Sequence, residues 1–218
     1  MKKLIKLSTF LIIALVSFNC SSVKVVDAWR SPESKNLKSK NFIVVARTTD
    51  KAARIAFENE IVKSMKERGL KATASFSKFP PLNTAKITTE ESQKLIKEIM
   101  GYENFNAVVL VSVKDVKKRK VTTGDYVYFN DPWYSYYPSY YGNFYTYYYQ
   151  PYIYNVSTLS RSTTTVTKTY YVETIAFNLE AEENQMIAVV TTKIDDPTKV
   201  YKTAEKYTEV VLKALEKK

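Results

Sequence analysis

Carboxylates and hydroxyls are the only side chains left to carry chemistry here. The 218-residue chain has no histidine and one cysteine. That excludes histidine triads, histidine metal sites and a cysteine cluster for a metal or disulfide framework. With four glycines there is no glycine-rich phosphate loop, and no cofactor is expected. Asp125 and Asp131 flank or enter a tyrosine-rich stretch, and Glu173 follows it. A glycosidase would need two such carboxylates about 5 to 9.5 Å apart, which spacing along the chain does not set. Ser64 and Ser92 each have a lysine nearby, the minimum for a Ser–Lys pair, but on amphipathic helices that adjacency is ordinary. Asp195-Asp196 offers too few oxygens for Ca²⁺, which takes 6 to 8. The other acids, Glu58, Glu60, Glu90, Glu91, Glu98 and Glu205, alternate with lysines on helices, the pattern of solvated i,i+4 pairs. The expectation is a protein that does no catalysis and holds no metal.

The one thiol points to a different chemistry. Lys2, Lys3 and Lys6 precede a short apolar run, Phe10–Val16. It is too short for a bilayer, which needs about 20 apolar residues, but it suits a signal peptide. Cys20 follows within Val16-Ser17-Phe18-Asn19-Cys20. This segment resembles the lipobox of bacterial lipoproteins. The resemblance implies diacylglycerol on the Cys20 thiol, cleavage before it, and acylation of the new amino group. Asn19 departs from the small residue usual at that place. Residues 1–19 are then a signal peptide, and their loss takes three lysines from the formal +11 and leaves +8. Several acyl chains hold a protein on a membrane far more firmly than one. Export excludes a nucleic-acid partner despite the basic charge. The expected location is the cell envelope, lipid-anchored, at the outer membrane, facing periplasm or surface.

The mature chain must position whatever binds. Residues 20–40 read as a lipidated, lysine-rich tether with Trp29 packing on the domain. Residues 41–218 read as one α/β domain. Asn41–Arg47 (NFIVVAR) and Asn106–Val113 (NAVVLVSV) are β-branched runs of strands buried on both faces. Asp50 is placed to cap a helix over Lys51–Arg68, its stripe Ala53, Phe57, Ile61 and Met65, with Gly69 just past its end. Leu70–Phe76 is a short strand. Thr88 and Glu91 form a capping box for a helix with the stripe Leu95, Ile96, Ile99 and Met100, ended by Gly101. The basic run Lys114–Lys120 reads as a solvated exit from the sheet. Thr165–Leu179 and Met186–Ile194 alternate as an antiparallel hairpin, and Asp196 with Pro197 opens a last helix. The fold class is α/β: a β-α-β-α-β unit extended by an antiparallel hairpin and a C-terminal helix, with a long insertion.

That insertion, residues 126–154, holds 13 of the 18 tyrosines and one charge, Asp131. Almost free of aliphatic residues, it adds little core and reads as a loop or projecting ribbon. Tyrosine offers an apolar ring and a polar tip, suited to interfaces. Trp133, Tyr136, Tyr137, Tyr140 and Tyr141 crowd around Pro132 and Pro138 and are the candidate partner contacts. The whole order of elements, from lipobox to Tyr-rich insertion to last helix, resembles a family of uncharacterised bacterial envelope lipoproteins. The resemblance implies a fold similar to the amino-terminal domain of TolB and to lipoproteins that activate peptidoglycan synthases. The function expected is a structural or adaptor module bound to an envelope or cell-wall partner. The alternatives are a regulator of a peptidoglycan synthase and a carbohydrate-processing enzyme.

Overall fold

The computed structural model describes residues 22–32, 34–79, 90–121, 144, 165–182, 185–197 and 199–216. The signal peptide, Cys20, the Thr88–Glu91 capping box at Thr88, and Trp133, Tyr136, Tyr137, Tyr140 and Tyr141 lie outside them. Six strands form one mixed sheet in the order β1-β6-β5-β4-β2-β3. They are β1 (Val23–Arg30), β2 (Asn41–Arg47), β3 (Lys71–Ala74), β4 (Ala107–Val121), β5 (Thr165–Asn178) and β6 (Met186–Asp195). Among the described residues three α-helices cover it: α1 (Lys51–Glu67), α2 (Glu90–Tyr102) and α3 (Val200–Glu216). The expected α/β architecture is what the chain adopts.

Strand β2 pairs in parallel with β3 and β4, and the remaining pairs are antiparallel. The chain moves outward from β2 to β3, then back across β2 to β4. Crossovers of one hand put connecting helices on opposite faces when the direction reverses. Accordingly α1 packs with α3 on one face, around Val44, Val109, Val190 and Tyr207. On the other face α2 packs over Ile43, Val45, Leu110 and Ile175 through Ile96 and Met100. Val44, Val45, Val109 and Leu110 pair across adjacent central strands and are all buried, which is why both runs are β-branched throughout.

The helix ends follow backbone chemistry. Asp50 Oδ1 accepts the Ala53 N–H at 3.0 Å, the expected cap of α1. Gly69, at φ +76°, closes it, with Leu70 N–H bonded to the Met65 carbonyl at 3.0 Å. Helix α2 differs from expectation. Gly101 is inside it, and Asn104, at φ 54°, is the left-handed residue, with Phe105 N–H on the Met100 carbonyl at 3.0 Å. Asparagine tolerates this conformation better than most side chains, so the glycine was not needed. Leu95 also lies outside the core, 43% exposed. Asp196 does not cap α3: at φ 43° it bonds through its N–H to the Lys168 carbonyl, and α3 begins four residues later.

Two further departures concern strands. Val23–Arg30, expected within a tether, is the edge strand β1, antiparallel to β6. Only Val23 in it is buried, so a burial pattern could not reveal a strand held mainly by its ladder of backbone hydrogen bonds. The basic run Lys114–Lys120, expected to leave the sheet, continues β4 in register with β5 as far as Val121 opposite Thr165.

Candidate functional site

Neither buried carboxylate is a solvated helix acid. Glu58, on α1, is fully buried, contrary to the expectation of a solvated pair. Its Oε1 accepts Ala46 N–H at 2.9 Å, Arg54 Nε at 3.1 Å and the Ser75 hydroxyl at 2.8 Å. Its Oε2 accepts Phe76 N–H at 2.7 Å. Arg54 is itself buried and also donates to Ser75. Burial is the largest influence and pushes the Glu58 carboxyl above its ordinary value, against the pull of these donors. The arrangement ties the end of β2 and the turn after β3 to α1, and it is structural.

Glu173, on β5, pairs with Lys114 at 3.1 Å. It shares a face of β5 with Ile175 and Phe177, which pack on the α2 face, whereas Glu58 belongs to a helix on the α1 face. The two buried carboxylates thus stand on opposite sides of the sheet, which is not the facing pair that glycoside hydrolysis uses. Asp125 and Asp131 lie outside the described residues. Asp195 holds Thr169 Oγ1 at 2.7 Å and Lys193 at 3.0 Å. Burial pushes its carboxyl up, but the hydroxyl and the ammonium outweigh that and hold it below the usual value. Among the described residues no three His, Cys, Asp or Glu side chains gather where they could hold a metal.

Two surfaces stand out instead. Trp29 lines an open groove of about 600 Å³ between β1 and α3, with Val25, Ala28, Val210, Ala214 and Leu215. Trp29, expected to pack on the domain as a buried ring, is instead 43% exposed, because it stands on an edge strand whose side chains are exposed after Val23. Arg30 closes the groove's end by donating to the Leu215 carbonyl at 2.8 Å.

The second surface is the end of β4 and β5. Lys118–Val121 pair with Thr165–Lys168, and β6 stops opposite Thr169. Beyond that row the described sheet is a two-stranded ribbon. Lys117, Lys118, Arg119 and Lys168 are exposed on it. Lys117 Nζ sits 5.2 Å from the Tyr171 ring centroid, a cation–π distance. Sequence reasoning marked the basic run but placed it outside the sheet. The signal for a strand was the alternation in Thr165–Tyr171, whose partner has to be somewhere.

One residue of the Tyr-rich insertion, Phe144, lies in the core. Phe144 is fully buried, edge-on to Phe177 with ring centroids 5.8 Å apart, in the cluster under α2. The expectation that this segment adds little core is corrected at that position: an aromatic ring fills the space that an aliphatic side chain would otherwise occupy.

No family model matches the chain, and no curated protein matches it. Solved structures similar to it include two of PelC. The PelC dodecamer from Paraburkholderia phytofirmans is 10% identical, with a TM-score of 0.45, over 90% of this chain and 99% of that one. A PelC dodecamer from the same organism with one leucine-to-methionine substitution is 8% identical, with a TM-score of 0.41, over 87% and 94%.

Proposed function

We propose that the chain is a lipid-anchored cell-envelope protein, held by acylated Cys20 and acting as a non-catalytic structural or adaptor module. The observation that carries this reading is the junction between anchor and fold. The Ser22 carbonyl accepts the Asp195 N–H at 2.7 Å, so the domain begins two residues after the only thiol. A lipid there would hold the sheet itself close to the bilayer. Among the described residues no helix is long and apolar enough to cross a membrane; the attachment proposed is the acylated Cys20, at the outer membrane.

Cys20→Ala is expected to move the chain from the detergent phase to the aqueous phase, or to leave it as an unprocessed precursor. Recovery of a mature-mass variant in detergent would overturn the anchor. Partner docking is assigned to Trp133, Tyr136, Tyr137, Tyr140 and Tyr141, since aromatic residues dominate binding hot spots. Cross-linking and pull-down from intact envelopes is expected to lose its partner with Trp133→Ala/Tyr136→Ala/Tyr137→Ala. An unchanged set of cross-linked proteins would move the docking face elsewhere.

A further inference from the structure

We propose that the basic ribbon is the membrane-apposed surface of the domain, docking on anionic lipid headgroups beside the acyl anchor. This rests on the reading of Cys20 as the anchor, which names the occupant: a bilayer, to which the same end of the molecule is already tied.

The geometry has three parts. First, the ribbon and the anchor share one end of the sheet. Val23 opens β1 opposite Ile194, Ile194 pairs with Tyr170, and Tyr170 with Val116. Strands lie about 4.8 Å apart, so Val23 sits roughly 14 Å across the sheet from β4. Cys20 is three residues before Val23, at most about 11 Å of extended chain. Second, the ribbon runs outward from that row. Four further residue pairs, at about 3.4 Å each, carry it roughly 14 Å beyond the rest of the described sheet. Third, its charge has one sign. From Asp115 to Val121 and Thr165 to Tyr171 there are five cations and one carboxylate, Asp115.

The surrounding charges matter to the balance. Lys114 is engaged by Glu173 and Lys193 by Asp195, so these groups add little net field. Lys24 lies near Asp195 and contributes to holding it ionised. Asp196 is exposed at the same end. With those two pairs set aside, Lys117, Lys118, Arg119 and Lys168 outnumber Asp115 and Asp196, four to two. The opposite end of the sheet differs, because Lys40 pairs there with Glu180 and Lys78 with Glu103. A positive, projecting, two-stranded edge complements a negatively charged surface. Its charge also protects the ribbon from pairing with other strand edges.

The test removes the anchor so that only the ribbon is read. The chain from residue 20 onward with Cys20→Ser contains every described element. Its sedimentation is measured with vesicles of phosphatidylcholine alone and of phosphatidylcholine with 30% phosphatidylglycerol. Each lysine near an anionic surface is worth about 1 kcal/mol, roughly fivefold in partition. Lys117→Gln/Lys118→Gln/Lys168→Gln is therefore expected to weaken binding to the anionic vesicles by about a hundredfold. The control Lys38→Gln/Lys66→Gln/Lys71→Gln, exposed positions away from the ribbon, has the same net charge and is expected to bind within about threefold of the parent. Binding of the parent is also expected to fall steeply between 50 and 300 mM salt.

Equal losses in the two triple variants would overturn the proposal, since only net charge would then matter. So would parent binding that ignores phosphatidylglycerol or salt, or a preference for purified cell wall over vesicles. The anchor is judged separately, by the mass of the native protein from cells. A missing diacylglycerol mass defeats the reading of Cys20 whatever the vesicles show.

Discussion

Glu58→Ala should lower the unfolding free energy by about 3–5 kcal/mol, measured by denaturant unfolding at neutral pH. The size follows from what the substitution leaves behind. Removing one partner of a buried pair strands the other, which typically costs this much. Arg54, buried beside it, would keep its charge with Ser75 as a remaining partner. The N–H groups of Ala46 and Phe76 would also lose their acceptor, at about 1–3 kcal/mol for each that stays dry. Buried ion pairs exchanged whole for apolar residues are often neutral. Here Arg54→Met/Glu58→Leu should stay below the wild type, because the two backbone donors remain orphaned. A loss under about 1 kcal/mol for Glu58→Ala would mean that water or a neighbour takes over those donors, and the account of this corner would be wrong.

Phe144→Ala is expected to cost about 3–5 kcal/mol in the same measurement, the usual range for truncating a buried phenylalanine. The ring is fully buried, shares the cluster of Ile43, Leu110 and Ile175, and meets Phe177 edge-on, which adds about 0.5–1.5 kcal/mol beyond area alone. Deleting residues 126–154 must lose this ring as well. The deletion is therefore expected to destabilise the domain at least as much as Phe144→Ala, although the change in loop length itself costs only about 0.6 kcal/mol per doubling. A Phe144→Ala protein within about 1 kcal/mol of the wild type would place the ring outside the core. The consequence for function is practical. Partner loss after deletion cannot by itself assign the binding face, and point substitutions at Trp133, Tyr136 and Tyr137 are the cleaner probe.

The candidate site was legible only where local chemistry announced it. The Cys20 segment is a linear signal, read from a basic run, an apolar run and a thiol in order. The ribbon was half legible: its lysines stand in the sequence, but charge runs are as common on exposed loops as on edge strands. What makes Lys117–Val121 a strand is the register of Thr165–Thr169 more than forty residues away.

From the sequence alone came the elements that satisfy themselves locally or bury both faces. NFIVVAR and NAVVLVSV have no solvent face to alternate with, so their burial is written into every residue. Asp50 and Gly69 likewise suit a helix end by their own conformational chemistry. Tertiary structure decided the rest. β1 is a strand because β6 offers it a ladder, and backbone hydrogen bonds are indifferent to the side chains they join. Glu58 stands four residues from Arg54, the spacing of any solvated pair. It is buried only because the turn at Ser75 and Phe76 folds over it. Phe144 belongs to a segment whose composition forbids a core of its own, and it becomes core because Phe177 and its neighbours leave a space that one ring fills.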